Sequence, residues 1–257
     1  YALPALGICP AKSDLEEARK RLQLPGPLTK SQFANLTKAM AVKSPSCSME
    51  LPHSLRGMSL KQLVTICQIY LESDWLKEQC KRWNAENPAT QFPQSENLYA
   101  LNHHVVLPIT TPGLESPAHE QDSDGFFPRA EFTCAMAQLL NPRGSFVDFF
   151  VSHYWAHPFR ATVCALKLWS RRHGDSEEGL DKMNMVFWLC IFALNQHKPS
   201  EEVGDSPMNG PFNAALARAK FGAVMIIGED AGTFDRIWCI FEVQRVMDLQ
   251  KSFDLIS

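Results

Sequence analysis

A chain of 257 residues with 45% hydrophobic content is long enough to bury one sizeable core, or one core and a smaller satellite. Its formal net charge of -3, with both signs interspersed, excludes the broad basic field of a general nucleic-acid binder and leaves small or acidic partners. No apolar run reaches the roughly 18 residues of a membrane span, and Tyr1 to Pro10 lack the basic start and apolar centre of a signal peptide, so a soluble, cytoplasmic protein is expected. The chain opens on Tyr1 and stops at Ser257 just past a predicted helix, as a fragment would.

Residues 1–143 read as a helical, loop-rich region. Ser13 starts the first helix, to Leu24, with Glu16 placed as in a capping box, and Pro25-Gly26-Pro27 ends it. A second helix starts near Ser59 and continues to Trp83, its core stripe being Leu60, Leu63, Val64, Cys67, Tyr70, Leu71 and Trp75. From Asn84 to Gln121 the composition is that of loop, with one edge strand at Val105 to Ile109. On that reading His103 and His104 point to opposite faces and do not share a metal ion. Asp122-Ser123-Asp124-Gly125 is a turn, too short for a calcium loop.

Residues 144–257 alternate strand and helix. Phe146 to His153 is a near-continuous apolar run, as in a strand buried on both faces, and Pro158 opens a helix to about His173. Met183 to Leu194 reads as a second buried strand, although its length also allows a helix. Asn195 to Asn209 is a long loop, Phe212 to Ala219 a small-residue helix, Ala223 to Ile227 a third strand, and Asp235 to Glu242 leads into a last helix. The pattern argues an α/β fold with a parallel sheet and right-handed crossovers.

The eight cysteines are dispersed without a C-x-x-C pair; most read as buried thiols, and a disulfide framework is not expected. There is no Walker-type phosphate loop, no G-x-G-x-x-G, no H-E-x-x-H and no G-x-S-x-G, which removes the main support for common kinases, dehydrogenases and serine hydrolases. What remains is a set of groups at strand carboxyl ends: Ser152, His153 and Trp155 after the first, Asn195, Gln196 and His197 after the second, and Asp235 to Glu242 after the third. Trp155, between a strand end and Pro158, is the stacking candidate on an exposed rim, whereas Trp238 and Cys239 read as core packing. Aromatic faces, amides and one carboxylate suit a ribose-bearing ligand, and a carboxylate beside an anomeric carbon can stabilise oxocarbenium character.

Asp148-Phe149-Phe150-Val151-Ser152 resembles the first-strand box of TIR domains, and Ala214 to Glu242, ending in Arg-x-Trp-Cys-x-x-Glu, is similar to their later segment. Trp188 to Gln196 also resembles the W-[IL]-x-x-x-x-x-x-Q strand of heterokaryon-incompatibility domains. The resemblance covers about Phe146 to Leu249 and implies a flavodoxin-like fold with one of two roles. In the first, the domain is an NAD(P)+ glycohydrolase that cleaves the nicotinamide–ribose bond in signalling or defence. Glu242 is then the catalytic carboxylate, and Ser152, His153, Trp155, Asn195, Arg236 and Trp238 bind substrate; NAD is the substrate and neither metal nor cofactor is required. In the second, it is a non-enzymatic module that self-associates through the Asn195 to Asn209 loop. The resemblance also implies that the chain ends before the fourth and fifth strands of a complete TIR domain.

Overall fold

The computed structural model describes residues 51–114, 117, 126–173, 182–228, 232–235 and 237–257. The expected Ser13–Leu24 helix, the Asp122–Gly125 turn and Arg236 lie outside them. The described residues belong to one compact unit, Met49–Ser257.

The helix expected from Ser59 begins there because Ser59 and Gln62 form a reciprocal capping box: Gln62 N–H donates to Ser59 Oγ (3.2 Å) and Ser59 N–H to Gln62 Oε1 (2.9 Å). It is not continuous to Trp83. The Leu60–Cys67 helix runs into a π turn, Gln68–Glu72, and a new helix, Trp75–Glu86, starts after Asp74 adopts a left-handed backbone (φ 58°). The edge strand expected at Val105 to Ile109 is also helical: Leu98–Leu101, a π turn Asn102–Val106, and Leu107–Ile109. Asn97 caps it, its side chain accepting the Ala100 N–H, and Leu98, Leu101, Val105 and Ile109 are buried at helical spacing. Pro108 lacks an N–H, and the π turn lies just before it. His103 and His104 therefore pack with Trp83 and Phe92, and burial, with His103 adding to it, holds His104 down at a pKa of about 4.

The sheet has five strands: β1 (Met58–Ser59), β2 (Phe149–Ser152), β3 (Val186–Trp188), β4 (Gly222–Ile226) and β5 (Ser252–Ile256). Their order is β1-β3-β2-β4-β5; β1 is antiparallel to β3 and the other pairs are parallel. The second expected strand is thus much shorter than Met183 to Leu194. After Trp188 the chain turns into a Cys190–Ala193 helix, which places Ile191 and Phe192 in the core and lifts Cys190 to the strand end. The fourth parallel strand, expected to be missing, is β5, whose polar residues and exposed Leu255 give it the weak apolar signal of an edge. The acidic residue before β2 has a structural use: Asp148 Oδ2 accepts the Val186 N–H at 2.9 Å and ties the starts of β2 and β3 together.

Alternate strand residues feed two cores. Phe149, Val151, Phe187 and Val224 join the larger one with the Leu60–Cys67 and Phe159–His173 helices, so elements from both sides of Gly144 share it. Phe150, Trp188 and Ala223 join the other with Ala215 and Leu216 of the Pro211–Arg218 helix and Val246 of the Ile237–Asp248 helix. Both sheet faces are covered by helices, which explains the near-continuous apolar strands. No helix among the described residues is long and apolar enough to cross a membrane.

Candidate functional site

From β2 the chain crosses to β3 on one side, then returns to lay β4 on the other side of β2. The carboxyl end of β2 is therefore a topological switch point, where parallel sheets open a crevice. A cavity of about 350 Å³ lies there. Val151 lines it from β2 and His153 and Trp155 from the loop after it; Cys190, Leu194 and Gln196 line it from the turn after β3. Pro199, Ser200, Val203 and Phe212 complete the lining with Trp238, Cys239 and Glu242.

The Trp-Cys-x-x-Glu spacing has a direct geometric meaning. In the Ile237–Asp248 helix, Glu242 stands four residues after Trp238 and three after Cys239, one turn on and between them, so one helix presents an indole, a thiol and a carboxylate to the cavity. Glu242 is 5% exposed, deep enough for its carboxylate to act in a low-dielectric wall. Trp238 is half-buried and stacks on Phe212 at 5.4 Å and 20°; Phe212 packs in turn edge-on against Trp188 at 5.4 Å. Trp238 and Cys239 are thus cavity walls as well as packing residues.

The β3 side owes its form to Gln196. Its side-chain amide donates to the carbonyls of Cys190 and Ile191, both at 3.1 Å, which ties off the short Cys190–Ala193 helix. The W-[IL]-x-x-x-x-x-x-Q spacing is the length of that strand end plus the turn that Gln196 closes. Trp155 does not stand on an exposed rim: its ring packs on Tyr99 at 5.3 Å and its indole N–H donates to Cys190 Sγ at 3.2 Å. The backbone holds it in place too, since Leu98 N–H donates to the Trp155 carbonyl at 2.9 Å.

Of the residues expected to form the site, the fold brings Glu242, His153, Trp155 and Trp238 around one cavity. Ser152 and Asn195 are not among its lining residues. Asn195 is turned into the protein, its Nδ2 donating to the Thr133 carbonyl at 3.2 Å and its Oδ1 accepting the His197 N–H at 3.1 Å. Ser152 is 2% exposed, and its hydroxyl finds no hydrogen-bond partner among the described residues. A buried, unsatisfied hydroxyl costs about 1–3 kcal/mol. Ser152→Ala is therefore expected to leave stability unchanged or raise it, read as the urea midpoint; a loss beyond about 1 kcal/mol would show that the hydroxyl is bonded after all. Arg236 lies outside the described residues. Cys190, Leu194 and Phe212 join the cavity without having been singled out from the sequence, and Pro199, Ser200 and Val203 join it from the loop expected to serve self-association. Their apolar or small side chains carry no chemical signature, and only the turn after β3 brings them to the strand ends. Among the described residues no group of three or more His, Cys, Asp or Glu side chains is arranged to hold a metal ion. In comparisons with protein-family models, curated proteins and solved structures, nothing matches this chain.

Proposed function

We propose that the chain carries a TIR-like NAD(P)+ glycohydrolase site with Glu242 as its catalytic carboxylate. The observation that carries this reading is that Glu242 and Trp155 line the same cavity at the switch point of the sheet. Two further features support it. The four parallel strands run in the spatial order second-first-third-fourth, the order of flavodoxin-like sheets, and the helix after the first of them lies on the opposite face from the next two sheet-packing helices.

The chemistry follows from the lining. At about 350 Å³ the cavity is near the lower end of the roughly 300–1,000 Å³ typical of small-molecule sites, so it admits one nucleoside-sized moiety of the dinucleotide. Trp155 and Trp238 offer faces to the cationic nicotinamide ring, an attraction that strengthens away from water. As the bond from C1′ to the ring nitrogen breaks, its electron pair neutralises the pyridinium and positive charge moves to the ribose. The Glu242 carboxylate stabilises that charge, and water then adds to C1′ and gives up one proton to solvent, leaving the neutral hydroxyl. The test is nicotinamide release from NAD by the purified protein at high concentration, where any site completed by a second copy can form. Absence of release sinks the reading.

A second reading, self-association without turnover, is favoured by a different observation. Ile237, Ile240 and Met247 are 77%, 56% and 68% exposed and follow one face of the Ile237–Asp248 helix. This stripe suits association better than the 195–209 segment, which contributes Gln196, Pro199, Ser200 and Val203 to the cavity lining and carries Glu202 in its ion pair with Arg56. Ile240→Arg is expected to reduce assembly in sedimentation velocity at matched concentration. An unchanged distribution would count against this surface.

A further inference from the structure

Cys190 stands in a constructed polar setting. Its Sγ accepts the Trp155 indole N–H at 3.2 Å and lies 3.7 Å from His153 Nε2. The other imidazole nitrogen, Nδ1, is 3.2 Å from the Val151 carbonyl oxygen, which can only accept. Nδ1 therefore carries the ring proton, and Nε2 turns a lone pair toward the thiol. The imidazole can take the thiol proton while the indole N–H stabilises the sulfur charge left behind. Trp155 and His153 are both held by the loop after β2, and Cys190 opens the short helix after β3, so the fold itself assembles the trio.

Cys67, Cys80 and Cys164 are placed differently. Cys67 and Cys80 are buried, and burial pushes both thiols up to about 11, which keeps them protonated and inert. Cys164 is exposed on the Phe159–His173 helix. Cys190 alone among these is half-buried, lines the cavity and is paired with an imidazole.

We propose that Cys190 is a covalent modification site for soft carbon electrophiles of the α,β-unsaturated carbonyl class that enter the cavity. His153 Nε2 takes the thiol proton and Sγ attacks the β-carbon to form the S–C bond. The π pair of the carbon–carbon double bond moves to the α-carbon, which takes the proton back from the imidazolium. Nothing leaves and no oxidant is needed. The proposal does not depend on the NAD reading, and its test is run without nucleotide.

The experiment is time-resolved labelling of the whole chain with N-ethylmaleimide at neutral pH, followed by peptide mass spectrometry. Cys190 is expected to react about tenfold faster than the exposed Cys164. His153→Gln and, separately, Trp155→Phe are expected to bring the Cys190 rate down to that of Cys164 without altering the latter. Unreacted Cys67 and Cys80 certify that each variant is folded; if His153→Gln is not, Trp155→Phe decides. A wild-type Cys190 no faster than Cys164, or a Cys190 rate unchanged in a folded variant, overturns the proposal.

Discussion

Arg56→Ala is expected to cost about 3–5 kcal/mol, a large share of the roughly 5–15 kcal/mol by which a domain is stable. Arg56 is 1% exposed, and its guanidinium donates to two backbone carbonyls and a carboxylate among its partners. Nε donates to the Leu51 carbonyl at 2.8 Å, and Nη1 donates to the Ala193 carbonyl at 3.1 Å and to Glu202 Oε2 at 2.6 Å. His53 Nδ1 lies 3.7 Å from the same carboxylate oxygen, but burial and the neighbouring Arg56 charge hold its pKa down at about 4. At neutral pH His53 is therefore uncharged, and Arg56 is the cation on Glu202. Removing it leaves a part-buried carboxylate and two carbonyls to find new partners. Ala193 ends the turn after β3 and Glu202 lies in the Pro199–Val203 helix, so one side chain joins two stretches of the cavity wall to the segment before β1. Lysine lacks the forked donors and is not expected to substitute. Urea unfolding checks this: a loss under about 1 kcal/mol in Arg56→Ala would show that the bridge carries little net stabilisation.

The second large effect is on chemistry. Glu242→Gln keeps the shape of the side chain but removes the charge that, in the proposed reaction, faces the developing oxocarbenium ion. Removing a preorganised electrostatic group from a water-poor site slows a reaction by about 100- to 1,000-fold. The loss should appear in the turnover number more than in substrate affinity, because positive charge builds on the ribose only in the transition state. A pure binding role would instead raise KM and leave kcat in place.

Elements with long, strongly patterned signals were legible in the sequence. The Phe146 to His153 run contains β2, the helix opened at Pro158 spans Phe159–His173, and Glu242 lies on a helix following a buried strand. Failures of reading fall where local composition and tertiary context disagree. The helical stretch from Leu98 to Ile109 is bracketed by proline- and serine-rich sequence and contains Pro108, so its apolar spacing was masked. Met183 to Leu194 carries enough apolar residues for one long strand, yet the sheet uses only Val186–Trp188 and the rest turns so that Gln196 can close it. β1 is two residues long, and β5 is an exposed edge with charged and polar residues, so neither has a pattern to read. Nothing in the sequence around Arg56 marks it as buried, because its acceptors include Ala193 and Glu202, far along the chain, and backbone carbonyls.

Within the site, the sequence spacing of Trp238, Cys239 and Glu242 was sufficient to place them on one helical face. Cys190 and Phe212 were not legible as cavity residues, since a thiol in an apolar run and an aromatic on a sheet-packing helix both read as core. Ser152 and Asn195 drew attention by standing at strand ends, but strand alternation and side-chain hydrogen bonding direct them away from the cavity.

The most direct test of the Glu242 assignment is the rate of nicotinamide release from NAD by wild-type protein and Glu242→Gln, at one high protein concentration and with matched urea midpoints. The expected result is measurable release by the wild type and a rate about 100- to 1,000-fold lower in the variant. Equal rates in the two proteins, or no release by either, would contradict it.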